Sequence, residues 1–306
     1  MISFRYHIVS IIAVFLALAL GIVVGTTALN GPITSNLRSE VDTLRKDRTS
    51  LSSQISTLQG EVSDAAQFAT TYGPQIVKGT LTDKSVLIIG LPGADTGMKD
   101  RLGKQVGAAG GKVSGRVQLT SDYSDPKRAS DLTALATGNA HPVGMLLPNT
   151  DDAGVLGGYL LSWVLLGKGQ PTDVRSVLTA LAGLHMLKVE SSGDVAPADL
   201  VMIVANGTIP AGSAAGKSQL ALVTQFQELG AKVVVAGDTA TSTGGGIIAL
   251  VRADDADKSA VSTVDNADSP LGQVSAILAL SQLTKSHVGH FGTGSGASKL
   301  YPQASS

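Results

Sequence analysis

The sequence predicts an α/β protein in three parts: a single N-terminal transmembrane helix, a coiled-coil stalk, and a layered α/β domain with a mostly parallel sheet. Three observations carry this. Ile8 to Leu29 contains no charged residue; apolar residues recur in heptads from Leu37 to Tyr72; and beyond residue 83 short apolar runs alternate with helical stretches. The expected divisions are a head at 1–7, the transmembrane helix at 8–29, the stalk at 34–73, the α/β domain at 84–291 and a flexible tail at 292–306.

As a helix, Ile8–Leu29 spans about 33 Å, which matches a hydrocarbon core of about 30 Å. Ser10, Thr26 and Thr27 can return their hydroxyls to the backbone, and Gly21 and Gly25 form a small face for close helix approach. A cleaved signal peptide is the competing reading, with Thr26-Thr27-Ala28 resembling a cleavage site. The apolar stretch exceeds the usual signal core, which favours an uncleaved anchor. Arg5 stands before the segment and Arg38, Arg45, Lys46 and Arg48 after it, so charge leaves the orientation open; N-in with the large domain extracytoplasmic is compatible with it.

Past an expected break at Gly31-Pro32, the heptad places Leu37, Leu44, Leu51, Leu58, Ala65 and Tyr72 at d and Val41, Arg48, Ile55, Val62 and Ala69 at a. Branched residues at a with Leu at d favour a parallel pair, so a homodimer through the stalk is expected, with Leu37 to Val62 as its seam. Arg48 weakens that seam while penalising other arrangements, and Glu40 at g can reach Arg45 at e of the partner. A single amphipathic helix lying on its own domain is the alternative. Pro74 is expected to stop the helix.

In the large domain Ser85–Leu91, Lys112–Leu119, Leu200–Ala205, Lys232–Ala236 and Gly246–Val251 read as strands, most of them continuously apolar as buried parallel strands are. Helices are expected at Asp95–Ala109, Asp125–Ala136, Asp152–Leu166, Asp173–Leu184, Lys217–Leu229 and Pro270–Leu283, the last capped by Ser269 with Pro270 at its first position. The run Val155–Leu166 covers only about 18 Å and is a core helix, not a second span. No ten-residue alternation suggests a lipid-facing barrel.

Composition narrows the chemistry. The 306 residues are 43% hydrophobic and 15% charged, which is enough apolar material for a sizeable core. Lys plus Arg number 23 against 24 Asp plus Glu, a net charge of -1, so nothing draws the chain to nucleic acid. With no cysteine, disulfides, thiolate metal sites and cysteine nucleophiles are excluded.

Candidate motifs read mostly as structure. Ala211–Ser218 lies between a strand and a helix like a phosphate-binding loop, but Ala211 stands where the first Gly is required. Asp265, Asn266 and Asp268 precede a helix and are expected to form its turn and cap, and Asp254, Asp255 and Asp257 to lie in a solvated loop. Met98, Met145, Met186 and Met202 are scattered as core filler. No Ser-His-Asp, paired-carboxylate or metal-ligand spacing is present, and no enzyme is expected. His287 and His290, three apart, would share a face if helical.

Several motifs together resemble a known family. Met1-Ile2-Ser3-Phe4-Arg5-Tyr6-His7, the run Ala13-Val14-Phe15-Leu16-Ala17-Leu18, Ser262-Thr263-Val264-Asp265-Asn266, and His287-Val288-Gly289-His290-Phe291-Gly292-Thr293-Gly294 followed by Gly296-Ala297 are similar to the actinobacterial copper transport protein family, typified by mycobacterial copper transport protein B. The resemblance implies a cell-envelope protein linked to copper efflux and copper resistance, described in the family as a pore-forming outer-membrane component. Related members look like partners in a membrane complex controlling cell separation, which implies a second membrane protein as partner. Joined to imidazole chemistry, the resemblance makes His287 and His290 the positions assigned to a copper ion. One membrane helix encloses no pore, so the residues favour a dimeric anchored component over a channel made by one chain.

Overall fold

The computed structural model describes residues 4–138, 141–191 and 193–303, without the side chains of 27–36. Met1-Ile2-Ser3 of the N-terminal motif, the side chain of Thr27 and the end of the tail at 304–306 fall outside what is described. The chain divides into two compact units, Met1–Asp64 and Ala65–Ser306.

The first unit is helix. Helix α1, Phe4–Ile76, runs through it and ends in the second unit. It continues past Gly31-Pro32 where a break is expected, because a proline removes one backbone donor and the turns on either side retain theirs. Phe4–Thr26 is long and apolar enough to cross a membrane, with its side chains uncovered. As anticipated, the Thr26 hydroxyl returns to the carbonyls of Ile22 and Val23, at 2.9 and 3.2 Å.

The second unit is a three-layer α/β/α domain on a seven-stranded sheet, β3-β2-β1-β4-β5-β6-β7. Its strands are β1 (Ser85–Gly90), β2 (Lys112–Leu119), β3 (Leu187–Val189), β4 (Leu200–Ala205), β5 (Lys232–Gly237), β6 (Ser262–Val264) and β7 (His290–Phe291). All pairs are parallel except β2 with β3. The expected class holds, and the reason is legible in β4: Leu200, Met202 and Val204 pack on one face while Val201, Ile203 and Ala205 pack on the other.

The first face is covered by α2 (Thr96–Ala108), α9 (Pro270–Thr284) and the turn after α1, through Val77 and Leu81. The second is covered by α3 (Ala129–Thr137), α4 (Ala153–Leu165), α5 (Pro171–Gly183), α6 (Ala214–Glu228) and α7 (Ile247–Ala253). Both faces of the sheet are thus clothed by the chain's own helices.

Several expectations are corrected. Gly246–Val251 is not a strand but the start of α7, with Ile247, Ile248 and Val251 buried on one side; a short apolar run has no period of its own. Asp254, Asp255 and Asp257 are not in a loop: Asp254 caps α8 (Asp255–Ala260), and while Asp254 and Asp255 are exposed as expected, Asp257 is buried. Pro74 does not end α1, which continues to Ile76. Ala69, placed in the seam by the heptad, is buried in its own unit. Nor is the segment after Phe291 loose throughout: Gly292 N–H donates to Lys299 O at 3.0 Å, and Ser298 N–H to His290 O at 2.9 Å.

Candidate functional site

In an open α/β sheet, ligands bind outside the carboxyl ends of the strands where the strand order reverses. Here that place lies between β1 and β4; beside it, at the carboxyl ends of β1 and β2, the chain packs its own polar side chains. A Cβ at Gly90 would collide with the Gln118 carboxamide, whose NH2 donates to Leu91 O at 2.8 Å and Leu119 O at 2.7 Å. The buried Lys99 ammonium donates to Gln118 Oε1 at 2.5 Å and to both oxygens of Glu190 at 2.7 and 2.8 Å. On the neighbouring strand, Asp238 after β5 accepts from the amide of Gly207 at 3.0 and 3.1 Å. An amide that could hold an anion therefore already holds a carboxylate.

The loop Ala211–Ser218 behaves as an ordinary strand-to-helix connection, with the Ser213 hydroxyl capping α6 by accepting from Gly216 N–H. Two clefts of about 570 and 720 Å³ flank the segment 193–197. Most of the charged side chains lining them are paired: Arg116 with Asp100 at 2.7 Å, Arg175 with Asp194 at 2.9 Å, and Glu190 with Lys99.

A denser arrangement sits at the β6–β7 edge. The two C-terminal motifs, far apart in sequence, are brought together by the parallel pairing Thr263↔His290 and Val264↔Phe291. Asp265, fully buried, lies 2.8 Å from Arg252 of α7 and accepts from the amides of Thr293 and Gly294 at 2.8 and 2.9 Å. Arg252 also donates to Thr263 Oγ1, Ser295 O and Phe291 O at 2.9, 2.6 and 3.1 Å. Burial draws its guanidinium below the ordinary value, against the pull of Asp265. Asp265 therefore does not serve the turn and cap expected of it, whereas Ser269 caps α9 as expected. A Cβ at Gly292 or Gly294 would run into the Asp265 carboxylate or Ser242, so these glycines let the loop close over the charge.

The histidines assigned to copper part company here. His287 is exposed beyond the end of α9, so the pair does not share a helical face. His290 is buried with Nδ1 3.0 Å from Thr263 Oγ1 and Nε2 3.1 Å from Lys258 O, both ring nitrogens engaged. Burial and then the Arg252 charge push its pKa down. Met98, Met145, Met186 and Met202 are buried in the core. Among the described residues no group of three or more His, Cys, Asp or Glu could hold a metal ion. The arrangement is that of an internal clasp fastening the last strand, its loop and α7.

Arg252 is the residue that sequence reasoning missed. An arginine within the apolar run Ile247–Ala253 is the available signal, since a buried guanidinium requires a carboxylate nearby. By contrast, the stalk positions Leu37, Val41, Leu44, Arg48, Leu51, Ile55, Leu58 and Val62 are all exposed in the single chain. They form a stripe, apolar except at Arg48, with nothing against it in their own unit.

Comparison with known proteins gives the same identity from end to end. The family model described as "Copper transport outer membrane protein, MctB" matches residues 1–302. Copper transporter MctB of Mycobacterium tuberculosis (strain ATCC 25618 / H37Rv) is 32% identical over 307 residues, covering 97% of this chain and 98% of that protein. Copper transporter MctB of Mycobacterium leprae (strain TN) is 31% identical over 314 residues, covering 98% and 99%. The clasp and the apolar N-terminal helix thus lie within a full-length match, and the chain belongs to the copper transport outer membrane protein family, MctB.

Proposed function

We propose that this protein works in copper efflux and copper resistance as a membrane-anchored, parallel dimer, not as a pore made by one chain. The observation that carries this reading is the division of labour along α1: an apolar stretch at Phe4–Thr26 long enough to span a bilayer, then an exposed heptad stripe. The α/β domain supports the same reading, because its sheet is covered on both faces and offers lipid no apolar wall. One helix from each of two copies encloses no aqueous path, so copper reaches the protein as cargo of an assembly to which the anchored dimer contributes. The large domain stands on the extracytoplasmic side of the membrane that holds the anchor.

Deleting the gene and measuring cell-associated copper tests the role. Raised copper and copper sensitivity, both restored by the wild-type chain but not by Leu44→Asp with Leu51→Asp, are expected. Unchanged copper with chained, unseparated cells would overturn the copper role and point to a cell-separation complex whose second membrane protein uses the stripe. A topology reporter fused after residue 306 is expected to report the extracytoplasmic side.

A further inference from the structure

The foot of α1 carries a second apolar face. Phe68, Tyr72 and Ile76 recur every four residues and are 57, 47 and 47% exposed, with the Phe68 and Tyr72 rings 4.9 Å apart. The adjoining side of the helix is occupied. Ala69 is 2% exposed, and a Cβ at Gly73 would stand 2.7 Å from Val274 Cγ2 of α9.

This geometry conflicts with a heptad that continues unchanged. Ala69 is the next a position, and the domain already covers it. Tyr72 is the next d position and Phe68 the g position before it, and both are open. From Ala65 to Val77 there is no charged residue, so two copies meeting here bring no like charges together.

We infer that at the foot of the stalk the seam between two copies of this chain moves from the a and d positions to the d and g positions Ala65, Phe68 and Tyr72, so that the aromatic pairs of the two copies pack on one another. The occupant is a second copy because parallel helices in register set each residue against its own counterpart, and these positions continue that register. The packed rings then fix how the two α/β domains face each other. This rests on the dimer proposed above and adds where its seam goes.

The absence of native cysteine makes the test direct. Single variants Leu51→Cys, Phe68→Cys, Tyr72→Cys, Ala69→Cys and Gln67→Cys of the full chain are treated in membranes with a short bismaleimide, and covalent dimer is read on a denaturing gel. Phe68→Cys and Tyr72→Cys each retain one ring of the pair. Cross-linking of Leu51→Cys, Phe68→Cys and Tyr72→Cys at least tenfold faster than of Ala69→Cys and Gln67→Cys is expected. If Leu51→Cys cross-links while Phe68→Cys and Tyr72→Cys stay monomeric, or Ala69→Cys matches Leu51→Cys, the shifted seam is wrong and the stalk dimer stands. If Leu51→Cys stays monomeric, both readings fall.

Discussion

Asp265→Ala tests whether the clasp at the β6–β7 edge holds the domain together. The substitution leaves the Arg252 guanidinium buried without its carboxylate and strips the acceptor from the amides of Thr293 and Gly294. Breaking a buried pair by removing one partner costs about 3–5 kcal/mol, mostly for the charge left behind. Asp265→Asn keeps an oxygen for the two amides, so it should cost less than the alanine variant by about 1–3 kcal/mol. The only tryptophan, Trp163 of α4, packs against the core on the second face of the sheet and reports unfolding of the domain in the detergent-solubilised full chain. With a urea m-value of about 3 kcal/mol/M, the midpoint for Asp265→Ala falls by roughly 1–2 M. A shift below about 0.3 M, or equal losses for Ala and Asn, would refute a buried charge at the clasp.

Three further outcomes follow from the same side chains. The His290 pKa lies below its ordinary 6.5 in the folded protein, so stability present above that value is lost as pH falls through and below it; His290→Gln should flatten the dependence of the urea midpoint between pH 7 and 5. Asp257 is shifted the other way, upward by burial, so its ionisation weakens the fold as pH rises above the ordinary 3.8. Asp257→Asn, which can still accept from Thr224 Oγ1, should raise the thermal midpoint at pH 7 and lose that advantage near pH 3. Gly272→Ala would drive a Cβ into the backbone carbonyl of Asn266 and should cost about 1–3 kcal/mol, whereas Gly183→Ala, with open space around it, should cost almost nothing in the same urea titration.

How much of this was legible depends on whether the signal was local. The β4 run Leu200–Ala205 announces a strand buried on both faces, and Ser269-Pro270 announces the start of α9, because hydrophobic pattern and cap chemistry lie within a few neighbouring residues. The heptad of α1 is equally local, yet it could not show that the domain takes Ala69 for itself, since that depends on Val274 some two hundred residues away. Strands β3, β6 and β7 have two or three residues each, too few for a period to emerge. The clasp was hidden for the same reason. Gly292 and Gly294 read as a flexible tail, although what they supply is room for the Asp265 carboxylate, and the need for that room arises only when Arg252 is brought beside it. Nor does a sequence display the Thr263 hydroxyl and Lys258 carbonyl that engage the two ring nitrogens of His290.

Counting the copies in one membrane-derived particle addresses the anchored dimer itself. Native mass spectrometry of the full chain released from lipid nanodiscs should give twice the 31.0 kDa chain mass, falling to one chain for Leu44→Asp with Leu51→Asp. A wild-type particle of one chain, or a ring of many, would contradict the account.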